Sequence, residues 1–305
     1  MELRHLRYFI AVAEEKNFTR AAERLFIAQP PLSRAVQQLE EDLGVALIEK
    51  GSRPLKLTQA GQFFHVHAKS LLDSAADLKT MTRRVGKIER TLKIGFVAST
   101  LYGFLPEIVR RFRTRYQNVE ISFHEMPTME QIKALKEGRI DVGFGRLKTE
   151  DPSIRRILMR EERLIAAVPA DHRLAAEERA LMLKELVQEP LILYPKAPRP
   201  SFADQVLGAF SERNLMPDNV LEVRDLQIAI GLVAAGQGIS VVPESLQTLH
   251  RNDVVYRPLD DSSVVSPLLF SVRYMDRAPE LENMLSIIYE IYDEHGIAHA
   301  GERLG

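Results

Sequence analysis

Residues 18–44 read FTRAAERLFIAQPPLSRAVQQLEEDLG, and no other stretch restricts the fold as tightly. Two short helical patterns flank the break Ile27-Ala28-Gln29. Thr19 can cap the first helix, and Ala21, Ala22, Leu25 and Phe26 give it an apolar stripe. Pro30 and Pro31 suit the first turn of the second, where a missing N–H costs nothing. Leu32, Val36, Leu39 and Leu43 then line one face, and Gly44 ends the helix. The opposite face offers Gln29, Ser33, Arg34, Gln37 and Gln38 at the front, with Glu40, Glu41 and Asp42 held back. A helix entering the major groove by its N-terminus would be built this way, since acids near phosphates repel. Any amphipathic helical hairpin is the alternative.

The flanks favour a DNA-binding reading. Leu3, Leu6, Phe9, Ile10 and Val12 predict a helix over about 4–16. Residues 46–49 and 55–58 read as two short strands around Lys50-Gly51-Ser52-Arg53-Pro54, a wing with an arginine at its tip that suits the narrow minor groove. From Gln59 to about Arg84 one long helix carries Phe63, Phe64, Val66, Leu71, Leu72, Leu78 and Met81 near coiled-coil spacing, which predicts self-association. Gly86 with Arg83, Arg84 and Lys87 reads as a polar hinge.

The motifs AAERL, QPPLSR, the LE-x-x-LG ending and LT-x-AG together resemble the winged helix-turn-helix of LysR-type transcriptional regulators. One departure is Ala35-Val36, where such proteins usually carry Gln-Ile. The resemblance implies that Gln29, Pro30 and Arg34 read bases, that Ser33 and Thr19 hold phosphates, and that Arg53 enters the minor groove. Pro31 and Gln37 complete the candidate DNA-facing set. It also implies that the long helix pairs two subunits antiparallel.

Beyond Thr91 strand and helix patterns alternate, the rhythm of an open parallel sheet. Expected strands are 92–97, 119–125, 140–145, 164–168, 191–194, 220–223, 239–242 and 268–273; expected helices are 105–116, 130–136, 202–212, 226–235 and 280–292. The predicted fold is therefore α/β: an α-rich winged helix-turn-helix over 1–58, a linker helix and hinge over 59–90, and a two-lobed effector domain resembling periplasmic binding proteins. Its first lobe takes 91–161 and 268–305, its second 162–267. With 305 residues there is ample chain for several cores. Lys+Arg 41 against Asp+Glu 42 leaves a formal net charge of -1, so any basic surface is local. The absence of cysteine removes disulfides and thiolate chemistry, and no apolar run or signal-like start indicates a membrane, which predicts a cytoplasmic protein.

In such sheets ligands sit beyond the carboxyl ends of strands, facing helix N-termini. Val97-Ala98-Ser99-Thr100, Met126-Pro127-Thr128, Pro200-Ser201-Phe202 and Val223-Arg224-Asp225 are four such joints, two in each lobe, suited to a ligand with a carboxylate at each end. Each hydroxyl alone is equally a helix cap. The stretches FVASTLYGFLPEI, EMPTMEQIKALKEGRIDVGFGRLK, DPSIRR, LYPKAPRPSFAD and LQIAIGLVAAGQGISVVP are similar to LysR-type regulators of benzoate and catechol degradation. That resemblance implies cis,cis-muconate as inducer, gripped by Ser99 and Thr128 from one lobe and by Phe202 and its backbone from the other; Thr100 and Ser201, from the same joints, complete the candidate set. It further implies a second pocket in which Arg160, Glu162 and Tyr292, walled by Leu105 and Leu158, take benzoate. Arg146 either balances Glu162 beside that pocket or lies at the surface.

The expected function is a homotetrameric activator on promoter DNA that engages RNA polymerase when muconate closes the lobes. A chloro-muconate inducer stays open, as does dimer against tetramer. A two-lobed carboxylate-binding enzyme or transport receptor is the rival class. It lacks a nucleophile–base arrangement, a glycine-rich phosphate loop or a signal peptide, and the eight histidines show no metal spacing, so no cofactor is expected.

Overall fold

The computed structural model describes residues 1–49, 51–52, 54–86 and 90–304. It divides into two compact units, Met1–Arg83 and Arg84–Gly305.

In the first unit, α1 (Leu3–Glu15), α2 (Phe18–Arg24) and α3 (Gln29–Leu43) close over Leu6, Phe9, Ile10, Ala21, Ala22, Leu32, Val36 and Leu39. Asn17, not Thr19, caps α2: its Oδ1 accepts from the amides of Thr19 and Arg20 at 2.8 and 3.2 Å, the two donors a cap must satisfy. Pro30 and Pro31 stand in the first turn of α3, and Gly44 ends it at φ +69. Two residues leave the expected apolar faces. Phe26 turns outward, 95% exposed at φ +54 in the α2–α3 turn, and Leu43 lies exposed at the last turn. The wing is tied by one antiparallel bridge, Ile48–Leu57, instead of two full strands. Glu40 anchors its base by accepting from the Leu47 and Ile48 amides at 2.7 and 3.0 Å. Helix α4 (Gln59–Gly86) packs Phe64, Ala68 and Leu72 on this core and leaves Phe63, Val66, Leu71 and Leu78 exposed. Lys87 of the expected hinge lies outside the described residues.

The second unit runs β1 (Arg90–Phe96), α5 (Leu105–Arg115), β2 (Val119–Glu125), α6 (Thr128–Lys136), β3 (Val142–Gly145), β4 (Ile154–Pro169), α7 (Leu183–Leu186), β5 (Leu191–Leu193), α8 (Phe202–Ser211), β6 (Val220–Glu222), α9 (Leu226–Ala234), β7 (Ser240–Pro243), β8 (Val254–Pro258), β9 (Val265–Arg273) and α10 (Pro279–Glu294). The sheet order is β2-β1-β3-β9-β4-β7, with β8 on β4, and β5 pairs β6 separately. Among the described strand ladders β1–β2, β1–β3 and β5–β6 are parallel; β9 enters antiparallel between β3 and β4, so the sheet is mixed where a parallel one was expected.

Strand β4 is 16 residues long, three times the expected 164–168. It serves two cores. One gathers Ile94, Phe112, Phe144, Ile157, Phe270 and Ile288, with α10 packed into it; the other gathers Ile165, Val168, Leu191, Phe210, Ile230 and Val241. These are lobe I and lobe II. A register shift between Leu158 and Arg160 separates the two halves of the β4–β9 ladder. Before it Ile157 and Met159 are buried; after it Glu162, Leu164 and Ala166 are. The extra residue reverses which parity of side chain faces inward.

Candidate effector cleft and DNA-facing helix

On α3, Gln29, Pro30, Pro31, Arg34 and Gln37 are exposed, and half-buried Ser33 accepts from Gln29 Nε2 at 2.8 Å. Gln37 donates to Glu41 at 3.2 Å, a bond that DNA can replace at little cost. Arg34 has no acid within 4.0 Å among the described residues, so its charge is free for an external anion. Thr19 is exposed in the first turn of α2. Arg53 lies outside the described residues.

The four strand-to-helix joints converge on one interlobe cleft of about 450 Å³. Lobe I contributes Ser99, Met126, Pro127, Thr128 and Arg146; lobe II contributes Tyr194, Ser201, Phe202, Arg224 and Asp225. Thr128 opens α6 and Phe202 opens α8, so the first amides of both helices lack intrahelical acceptors and carry the positive end of the helix dipole. Gly145 permits this packing: a Cβ there would stand 2.7 Å from Thr128 Cγ2 and 2.9 Å from its Oγ1.

Arg146 organises the lobe I half. Its Nε donates to Ser99 Oγ at 2.8 Å, and its backbone N–H donates to Thr128 Oγ1 at 3.1 Å. Each hydroxyl oxygen therefore accepts from Arg146 and keeps its own proton for a further acceptor. Two buried O–H donors, 6% and 4% exposed, suit a carboxylate. The other expected hydroxyls do different things. Ser201 donates to the Pro195 carbonyl at 3.1 Å while its amide donates to Asp204 at 2.6 Å, so it braces the start of α8. Thr100 turns away from the cleft and donates to Val97 O at 2.8 Å, because one step along the short 3-10 helix 98–102 swings a side chain by a third of a turn. Sequence reasoning missed Tyr194, whose buried hydroxyl lines the cleft without a hydrogen-bond partner among the described residues; burial pushes its pKa well up. Its place at the end of β5 was the available signal.

The Arg146 side chain also reaches Glu162 at 2.5 Å, with both groups almost fully buried. Glu162 Oε1 accepts from the Ser245 amide at 2.8 Å and lies 3.5 Å from Arg160. Burial alone would raise the Glu162 carboxyl, but the Arg146 and Arg160 charges and the Ser245 amide outweigh it and hold the carboxyl below its ordinary value. Arg146 is thus the interior partner of Glu162, not a surface group.

Thr100, Phe104, Leu105, Met159, Arg160 and Tyr292 enclose a second cavity of only about 10 Å³. Arg160 sits over the Phe104 ring at 5.3 Å. Burial pushes the Tyr292 hydroxyl up to about 12. Met159 supplies the wall expected of Leu158, whose outward parity on β4 leaves it 38% exposed. No group of three or more His, Asp or Glu that could hold a metal occurs among the described residues, and none of their helices is long and apolar enough to cross a membrane.

Residues 3–62 match the bacterial regulatory helix-turn-helix protein, lysR family, and residues 86–289 match the LysR substrate binding domain. The chain is 47% identical to the HTH-type transcriptional regulator BenM of Acinetobacter baylyi, covering 97% of this chain and 98% of BenM. It is 46% identical to the HTH-type transcriptional regulator CatR of Pseudomonas putida, covering 94% and 98%. The BenM effector binding domain solved with its effector benzoate superposes with a TM-score of 0.67 at 42% identity, covering 72% of this chain and 99% of that one.

Proposed function

From the premise that this chain belongs to the LysR family of bacterial transcriptional regulators, and is not an enzyme, we propose that it activates genes for aromatic-acid degradation when cis,cis-muconate binds the interlobe cleft. The observation that carries the inducer reading is the pair of hydroxyls on Ser99 and Thr128, each held by Arg146 with its proton left to donate. One inducer carboxylate accepts from these and from the α6 amides. The other meets the Phe202 amide at the head of α8. A ligand with an acid at each end joins the lobes, and it acts only to the extent that it prefers the closed arrangement.

Benzoate is the second effector in this reading, with Arg160 and Tyr292 as its partners; the solved BenM domain with benzoate supports it. The small cavity must open to admit the ring, and Leu105 and Phe104 are among the side chains that line it. At the other end of the chain, Gln29, Pro30 and Arg34 read bases, Pro31 and Gln37 flank them, and Ser33 and Thr19 position phosphates. The exposed apolar side chains of α4 support self-association; in this reading the assembly is a homotetramer on paired half-sites that recruits RNA polymerase in the cytoplasm.

Calorimetric titration of the full-length protein with muconate tests the inducer. Micromolar binding that weakens about tenfold in both Ser99→Ala and Thr128→Ala fits one lost charge-assisted hydrogen bond in each. Absence of heat with the unaltered protein would sink the muconate assignment and leave the DNA-binding reading standing.

A further inference from the structure

Two side-chain bonds cross between the lobes onto the segments that carry the cleft hydroxyls. On one flank Gln205, on α8 of lobe II, donates from Nε2 to the Arg146 carbonyl of lobe I. On the other, the Thr248 hydroxyl shares its proton between the Ser245 carbonyl at 2.9 Å and the Tyr102 carbonyl at 3.1 Å, the latter within the short helix that bears Ser99. Gln205 is held on its far side as well, since the fully buried Ser266 of β9 donates to its Oε1 at 3.0 Å.

We infer that Gln205 is a positioning residue for the inducer. It fixes the Arg146 backbone, whose N–H in turn fixes the Thr128 hydroxyl. The chain Ser266–Gln205–Arg146–Thr128 runs from β9 to the Thr128 hydroxyl. Every link in it is a donor meeting an acceptor. An amide is the side chain that fits, because the middle link must accept on one side and donate on the other. The unbranched Gln stem spans from α8 to the end of β3 without entering the cleft, and Gln205 does not line it. Gln205 therefore acts on the ligand without touching it, chiefly through Thr128, and it also ties lobe II to the Arg146 side of lobe I.

The affinity arm of the test rests on the inducer reading above; the exchange arm does not. In the full-length chain, Gln205→Met keeps the length of the side chain and removes both bonds. The Arg146 amide should exchange about tenfold faster with solvent, as the loss of one supporting hydrogen bond allows, while the effector unit melts a few degrees lower but still cooperatively, since the buried Ser266 hydroxyl loses its acceptor. Muconate affinity should fall about tenfold in the otherwise unaltered protein but less than about twofold in a Thr128→Ala background, the non-additivity of residues that act through one another. Gln205→Glu retains the bond from Ser266, loses only the donated one, and should reproduce both effects. Thr248→Ala should leave Arg146 exchange untouched. Unchanged Arg146 exchange in Gln205→Met and Gln205→Glu, or an equal loss of affinity with and without Thr128, overturns the inference. If the unaltered protein binds no muconate, the inducer reading falls and the exchange rates alone decide the role of Gln205.

Discussion

Arg146 Nε donates to the Ser99 hydroxyl at 2.8 Å across 47 positions of sequence, which makes a cation the orienting group for a hydroxyl proposed to receive an anion. The guanidinium is itself neutralised by Glu162 at 2.5 Å, so it contributes direction to the site more than net charge.

Gly145→Ala tests the tight approach of β3 to α6. The added methyl stands 2.7 Å from Thr128 Cγ2, so Thr128 must move. We expect a loss of about 1–3 kcal/mol in unfolding free energy, the ordinary cost of overpacking. Muconate binding should be lost at concentrations that saturate the unaltered protein. Calorimetry and urea unfolding on one preparation read both.

Arg146→Met leaves Glu162 buried with only Arg160 and the Ser245 amide for company. Breaking a buried pair from one side costs about 3–5 kcal/mol, and the remaining partners put the expected loss near the lower end. Adding Glu162→Gln should recover most of it, because the stranded charge is then gone. Urea denaturation of the two variants separates these outcomes.

The Glu162 carboxyl lies below its ordinary 4.5 in the folded protein. A depressed folded value means that the carboxylate stabilises the fold above about 4.5 and that this contribution is lost as pH falls through the folded value. Glu162→Gln should therefore flatten the acid limb of a stability-against-pH curve while leaving its neutral region lower. A curve of unchanged shape would show that other acids carry the limb.

Arg34 is exposed on α3 without an acid partner among the described residues, so its removal disturbs DNA and not the fold. Arg34→Ala should weaken specific operator binding by about 1–3 kcal/mol and relax base preference at one position, with an unchanged melting temperature. Gel shift against operators substituted base by base provides the reading.

Phe63, Val66 and Leu78 are 68%, 63% and 64% exposed along α4. Phe63→Glu with Val66→Lys should lower the assembly state measured by sedimentation at micromolar protein, since water then competes for the apolar stripe. Sedimentation indistinguishable from the unaltered protein would place the interface elsewhere.

The helix-turn-helix was readable because its signals are local: prolines in a first turn, glycine at +69, acids kept from the front of α3. Its cap was misread because Asn17 and Thr19 are both good caps two residues apart, and only backbone geometry chooses. The first half of β4 escaped notice because Arg155, Arg156, Arg160, Glu161, Glu162 and Arg163 mask its period with charge. Strand direction leaves no local trace, so the antiparallel entry of β9 was equally hidden. At the cleft, Ser99, Thr128 and Phe202 were legible as small or apolar residues at helix starts. Their dependence on Arg146 and Gln205 was not, because those bonds join residues far apart in the chain.

The register shift at Met159 has an effect out of proportion to its size. In an uninterrupted ladder Arg160 and Glu162 would share the outward parity of Arg156 and Leu158, and their charges would dissolve into the hydration layer. One surplus residue turns both toward the interior, where a change at one guanidinium is felt undiluted by its neighbours. An evenly pleated strand of this sequence would turn Arg160 and Glu162 outward together with Leu164 and Ala166, and leave the Arg146 guanidinium beside Ser99 with no acid to balance it.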